Sequence, residues 1–422
     1  GQLRAPDQAQ NQQITDSLAR SCSLFVAGVL EVFTSTKTLI HSLDHKLGNV
    51  DTFGRVKCAV LGARGLVAQR LIQRLTDHHW FAPVMVVGSP ESEGMMVSEI
   101  PWSFTEPRPA LPDLCVTGIG EDGELAKQLI SEGVRIVFSA LPDSPASLIE
   151  RDLAKSGLVV ISHSTIHRHS HITPLVVPEV NNDHLRLLES QTEYGEGMLV
   201  SCSNCMVVPL AITLALVIRD LPVVSITITT EQSLSGGGRK TLENSRIGIF
   251  PDSSIPGESK SVESELRRIL GKYDGSTVKP LGLPIEANCK RVKREFGHSA
   301  SVTLDFSRDI SAHEITTSWS EFLSPVQHLD LPSGLKSPII FVSNIDNISE
   351  RSDNPENNSL LNSMEIYIGS IRVYGNSASF DVISDNTVRG AAGNSILLAE
   401  MMLAQGIIHD SSSVQLSSHY IQ

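Results

Sequence analysis

From residue 55 to residue 201 short apolar runs alternate with small polar turns and helical stretches, without an internal sequence repeat. Val56-Lys57-Cys58-Ala59-Val60-Leu61 has the composition of a strand buried on both faces. The turn at 62–68 follows, then apolar positions at Leu71, Ile72 and Leu75, the spacing of one helix face. Residues 84–87 read as a second strand ending at Gly88-Ser89, 125–130 as a helix, 134–138 as a third core strand and 158–161 as another. Met198-Leu199-Val200 then runs into Ser201-Cys202-Ser203-Asn204-Cys205-Met206, and a further apolar run over 209–218 leads away from it. That is strand, sharp turn, helix. Apolar strands alternating with helices predict a parallel sheet covered on both faces.

Beyond Cys205 the period changes. Residues 223–230, 300–306, 366–374 and 377–383 alternate apolar and polar side chains, as half-buried strands do. The helical stretch at 262–270 would cover one face of their mixed, mostly antiparallel sheet. Residues 323–363 carry many Pro, Ser, Asn and Asp and read as a long surface excursion, and a strongly apolar helix is expected over 391–404. The fold class is therefore α/β, a Rossmann-type domain followed by an α+β domain. The expected boundaries are an N-terminal extension at 1–54, the Rossmann-type domain at 55–203 joined by the C-terminal helical segment 385–422, and the second domain at 204–384. Within the extension, 24–33 is apolar but too short to span a bilayer.

Composition narrows the chemistry. With 34 basic and 47 acidic residues the formal net charge is -13, which argues against a nucleic-acid or anionic-membrane binder. The six cysteines are scattered, which points to a reducing compartment, the cytoplasm, rather than to a disulfide framework. Cys202 and Cys205 form a C-x-x-C without the second pair or spaced histidine that a zinc site needs, and no metal is expected. Cys205 starts a helix, where free backbone N–H groups and the positive helix end favour a thiolate, so it is the candidate nucleophile. Gly62 and Gly65 suit a dinucleotide turn, the first allowing the bend and the second a close approach of the backbone to a pyrophosphate. Ala68 stands at the last glycine position of that fingerprint.

Together these motifs resemble the aspartate-β-semialdehyde dehydrogenase family, most closely its fungal and archaeal branch, over residues 55 to 410. The resemblance rests on Gly62-Ala63-Arg64-Gly65-Leu66-Val67, Ser203-Asn204-Cys205, Gln232-Ser233-Leu234-Ser235-Gly236, Gly257-Glu258, Arg291 with Gly297-His298-Ser299, and Asn386-Thr387-Val388-Arg389-Gly390-Ala391-Ala392-Gly393. It implies a cysteine that attacks the aldehyde carbon, hydride transfer to NADP (with NAD as the alternative) and release of the thioester to phosphate, with the reverse direction serving amino-acid biosynthesis. By the same resemblance Cys205 is the nucleophile, His298 the general acid/base and Gln232 the residue that orients the substrate. Asn204 and Arg168 would bind phosphate, Arg291 the substrate carboxylate, and Glu258 the substrate amino group. Gly62, Arg64, Gly65, Leu66, Val67, Ser89, Ser235, Gly236 and Asn386 would hold the cofactor. The second domain would be catalytic and would form a homodimer through its sheet, or a homotetramer; neither nucleic acid nor membrane is an expected partner.

The departures from the family pattern are specific. Met206 follows the cysteine where a small or hydroxylated residue is usual. Ser261 replaces a lysine three positions after the acid of Glu258, while Lys260 stands one position early and Ser259 replaces a second acid. His163 and Ser164 replace Asn and Ala before Arg168. Glu91 and Met95 occupy the segment where cations would meet the 2′-phosphate of NADP, with Arg64, in place of a threonine, as a substitute cation. Lys293 and Arg294 are new beside Arg291 and could compensate for Ser261. These changes leave a second reading open: a repurposed paralogue using the same cleft on another substrate, even without hydride transfer.

Overall fold

The computed structural model describes residues 50–121, 123–346, 348 and 360–409. Most of the expected extension, with its apolar stretch at 24–33, therefore lies outside the described residues, as does the chain from 410 onward.

The first sheet is parallel throughout, in the order β3-β2-β1-β4-β5-β6. Its strands are β1 (Val56–Leu61), β2 (Phe81–Val87), β3 (Val116–Thr117), β4 (Ile136–Ser139), β5 (Val159–Ser162) and β6 (Met198–Ser201). Helices α1 (Leu66–Thr76), α2 (Glu124–Ser131) and α3 (Asp143–Lys155) connect them. β1, β4 and β5 are almost wholly buried, which is why they read as continuous apolar runs. β2 begins three residues earlier than its apolar pattern suggested. Pro83 sits inside it, and the ladder with β1 shifts register immediately after that proline, which has no N–H to give. The third core strand is likewise displaced, to Ile136–Ser139.

From β6 the chain turns at Ser203–Asn204–Cys205 into α4 (Val207–Asp220), buried nearly all round. The second sheet has the order β10-β7-β11-β14-β13-β12. It comprises β7 (Val223–Gln232), β10 (Ile285–Arg291), β11 (His298–Phe306), β12 (Ile339–Phe341), β13 (Ile366–Tyr374) and β14 (Ser377–Ser384); β8 (Lys272–Tyr273) and β9 (Val278–Lys279) form a separate hairpin. The β10–β7 and β12–β13 pairs are parallel, and the three central pairs are antiparallel. Ile226, Ile228, Val302, Leu304, Phe380 and Val382 pack one face against α4 and against α6 (Glu258–Ile269). α5 (Gly238–Arg246) and α7 (Ala312–Ser320) complete the helices around it. The other face presents Thr227, Thr229, Glu286, Asn288 and Lys290.

Two elements correct the pattern reading. β10 was not anticipated, because its inward residues include the weakly apolar Ala287 and Cys289. The expected excursion at 323–363 instead supplies β12 and buries Leu331, Ile345 and Leu360; residues 347 and 349–359 of it lie outside the described set. After β14 the chain makes a π-helical turn at Val388–Ala392 and enters α8 (Gly393–Ala404). The C-terminal segment lies against α1 and the chain that follows it: Arg70 Nε donates to Thr387 Oγ1 at 3.2 Å, and His78 Nε2 meets Glu400 Oε1 of α8 at 2.8 Å.

Candidate active site

The loops at the C-terminal ends of β1, β4, β5 and β6 open on a cleft of about 450 Å³ whose other wall comes from β7, α6 and β10. It gathers most of the expected site: Gly65, Leu66, Val67, Arg168, Asn204, Cys205, Gln232, Ser235, Gly236, Glu258, Arg291 and Asn386. Gly62, Arg64, Ser89 and His298 do not form its wall. Neither do Lys293 and Arg294, the expected compensating cations. Lys293 stands 4.5 Å from the Phe250 ring centre, and Arg294 donates to Gly297 O and Ser299 Oγ.

Asn204 builds the turn before α4. Its Oδ1 accepts from Met206 N at 2.8 Å and its carbonyl from Val207 N at 2.9 Å. The half-buried Cys205 is thereby held at the helix start. The thiolate preference expected from that position does not govern the resting site. Burial, followed by the nearby Glu258 carboxylate, pushes the thiol up to about 12, against the opposing pull of Arg168 and Arg291. The thiol is therefore protonated at rest. Glu258 Oε1 accepts from both Asn204 Nδ2 at 2.8 Å and Gln232 Nε2 at 2.6 Å, joining three expected residues into one cluster.

His298 lies behind Gly236. A Cβ at position 236 would sit 2.8 Å from His298 Nε2 and 2.6 Å from Arg291 Nη1. His298 Nδ1 accepts the Ser233 backbone N–H at 3.1 Å, so the ring proton resides on Nε2, which is buried with no partner among the described residues. Burial, then Arg291 and Arg294, hold this imidazole neutral, well below the usual histidine range. Arg291 Nη1 donates to Ser233 O at 2.8 Å.

Beneath the turn lies Glu265, which sequence reasoning missed. It is 1 % exposed and accepts four hydrogen bonds, including those from Asn204 N and Arg168. Its position seven residues after Glu258 and four after Ser261 places all three on one helix face, a spacing that could have flagged it. His163 also lines the cleft. Its Nε2 meets Ser395 Oγ at 3.1 Å, and burial followed by the Arg168 charge pulls its pKa down to about 3.

Residues 57–188 match the family model described as semialdehyde dehydrogenase, NAD binding domain. An aspartate-semialdehyde dehydrogenase from Archaeoglobus fulgidus is 34% identical over 362 residues, covering 84% of this chain and 100% of that protein. The chain belongs to the aspartate-semialdehyde dehydrogenase family. It is thus a relative of oxidoreductases. The crystal structure of aspartate semialdehyde dehydrogenase with NADP from Candida albicans superposes with a TM-score of 0.69 at 27% identity, covering 83% of this chain and 99% of that one. A malonyl CoA reductase (NADP) from Metallosphaera sedula is 28% identical over 375 residues, 84% of this chain and 98% of that protein.

The NAD(P)-binding domain carries features that suit such a cofactor. Gly62 has φ +98°, and a side chain there would meet Ala140 O at 2.7 Å. No acidic residue stands in the first turn of α1, whose Leu66 and Val67 line the cleft, so no carboxylate competes with an anion at that helix start. Glu91, in the turn after β2, is held below the usual carboxylate range by the Ser89 hydroxyl first, then by a backbone N–H, with a further contribution from Arg64. In this aspartate-semialdehyde dehydrogenase relative the turn after β2 therefore carries an acidic residue whose charge is felt by Arg64.

Proposed function

We propose that the protein interconverts aspartate semialdehyde and aspartyl phosphate with NADP, through a thioester on Cys205. The observation that carries this reading is the placement of Cys205 on a cleft shared with the dinucleotide turn of α1, Gln232, Glu258 and Arg291. We assign cofactor binding to residues 55–203 with the C-terminal segment, and catalysis to 204–384.

Arg291 keeps Nε and Nη2 for the substrate carboxylate while Nη1 is anchored on Ser233 O. Glu258 takes the substrate ammonium, and Gln232 and Asn204 fix that carboxylate. Because the thiol is protonated at rest, its proton passes to the aldehyde oxygen as sulfur attacks the aldehyde carbon, giving a neutral hemithioacetal whose hydroxyl proton goes to solvent when the hydride is lost. To act as the general acid at the aldehyde oxygen, the unpartnered Nε2–H of neutral His298 would have to reach past Gly236, behind which it lies. When bound, the nicotinamide supplies a hydride acceptor, which leaves a thioester on Cys205. Phosphate attack on that thioester forms the acyl phosphate and restores the thiol.

A second reading is favoured by Ser261 and by the burial of Arg168 in an ion pair: the same cleft would serve another acyl compound, as the likeness to the malonyl CoA reductase allows. The polar open face of the second sheet supports a homodimer formed through it. The five free thiols among the described residues suit the cytoplasm. Incubation with aspartate semialdehyde and NADP in the absence of phosphate, followed by intact-protein mass measurement, tests the chemistry. An acyl adduct is expected in wild type and in Cys202→Ala but not in Cys205→Ala; an adduct that persists in Cys205→Ala overturns the assignment.

A further inference from the structure

The register of the second sheet brings three loops together at the start of β11. His298 opens that strand opposite Ser384 of β14, and Ser299 stands opposite Glu231 of β7. Asn386 and Ser233, each two residues beyond those partners, therefore arrive beside Gly297 and His298. Every polar atom of Ser233 is engaged there. Its backbone N–H and its Oγ both face His298 Nδ1, at 3.1 and 3.0 Å. Its carbonyl accepts from Arg291 Nη1 at 2.8 Å and from Gly236 N at 3.0 Å.

The proton directions follow from one amide. Gly297 N donates to Asn386 Oδ1 at 3.0 Å, which fixes that side chain and turns its Nδ2 toward Ser235 Oγ, also at 3.0 Å. Ser235 then donates to Ser233 Oγ, and Ser233 Oγ to His298 Nδ1, each at 3.0 Å. The competing contacts of the two hydroxyls with Asn386 Oδ1 are longer, at 3.2 and 3.3 Å. Ser233 and His298 are both 0% exposed, so water does not replace a missing donor between them.

We propose that Ser233 is a positioning residue that, with Ser235 and Asn386 behind it, locks His298 as the Nε2–H tautomer and holds the ring in register with Arg291. The opposite tautomer would set Nδ1–H against the Ser233 N–H, donor against donor, in a buried place. The anchor of Arg291 on Ser233 O ties the guanidinium to the same residue, so ring and guanidinium keep a fixed separation across Gly236. This inference rests on the reading of His298 as a proton donor in the thioester chemistry, since it names what makes the ring a donor.

Ser233→Ala removes the hydroxyl and keeps the backbone N–H. Ser233→Thr keeps both, and the extended backbone of Ser233, with φ -68° and ψ 162°, suits threonine. Nitrogen NMR of cofactor-free protein carrying isotope-labelled histidine reads the tautomer without turnover, and His298→Asn identifies the ring's signals by their loss. Wild type should show the Nε2–H form. In Ser233→Ala the Nδ1 signal should move toward that of an unbonded ring nitrogen, and kcat should fall about tenfold with KM within about twofold of wild type. Ser233→Thr should restore both. An Nδ1–H tautomer in wild type, unchanged His298 signals in Ser233→Ala, or equal loss in the alanine and threonine variants would overturn the proposal. Should Ser233→Ala not fold, Ser235→Ala, which removes the donor to Ser233 Oγ, carries the same spectral test. A wild type that gives the expected spectrum but does not oxidise aspartate semialdehyde would defeat the thioester reading and leave the role of Ser233 standing.

Discussion

The resting state of Cys205 gives the sharpest quantitative expectation. Burial and the Glu258 carboxylate raise its thiol from an ordinary 9.0 to about 12. At any pH below 9 the thiolate population is then about a thousandfold smaller than that of an unperturbed thiol. Alkylation by iodoacetamide, which follows thiolate, should therefore rise about tenfold per pH unit from pH 7 to 10 without a plateau. The exposed Cys115 supplies an internal reference within the same protein. Peptide mass analysis of timed samples, free of cofactor and substrate, reads both sites at once. Glu258→Gln removes the second of the two causes while keeping an oxygen for Asn204 or Gln232. It should move the Cys205 profile down by about one pH unit. A plateau below pH 9 in wild type, or Cys205 reacting faster than Cys115 at pH 7.5, would mean that the helix end outweighs burial. The proton-coupled attack argued above would then be wrong.

Gly390→Ala should impair both folding and Cys205 reactivity, because its Cβ would lie 2.5 Å from Cys205 O and 2.8 Å from Cys205 Cβ; urea unfolding should show a loss of about 1–3 kcal/mol. His163 is held at about 3 in the folded chain, against an ordinary 6.5. Below pH 6.5 the unfolded chain gains a proton that the native one refuses, so stability falls as pH drops from 6.5 toward 3, by about 1.4 kcal/mol per unit. His163→Asn should flatten that slope by this amount between pH 6.5 and 5, and an unaltered slope would remove His163 from the account. Glu91 and Arg64 should act oppositely on the cofactor's 2′-phosphate. In fluorescence titrations Glu91→Gln should raise NADP affinity relative to NAD, and Arg64→Ala should lower it; if neither changes the ratio, the 2′-phosphate is read elsewhere.

The apolar strand runs, their alternation with helices, and the change to period two after Cys205 were enough to specify two sheets of different kind. The reason is that burial on two faces and burial on one face leave different periodicities in the chain. Local chemistry was equally legible where it depends on neighbours in sequence: the glycine turn before α1, and the strand, sharp turn and helix that set Cys205 just before α4. β10 was not legible, since Ala287 and Cys289 are buried by packing rather than marked by hydrophobicity. The charge states were beyond the sequence as well. Cys205 sits at a helix start, which by itself favours thiolate, but the burial and the Glu258 carboxylate that oppose it are contributed by segments far away in the chain. Arg168 looked like a free cation until α6 brought Glu265 onto it across 97 residues. Periodicity is a property of each segment alone and so survives in the sequence. Desolvation and ion pairing depend on which distant segments meet, and only the tertiary structure decided those.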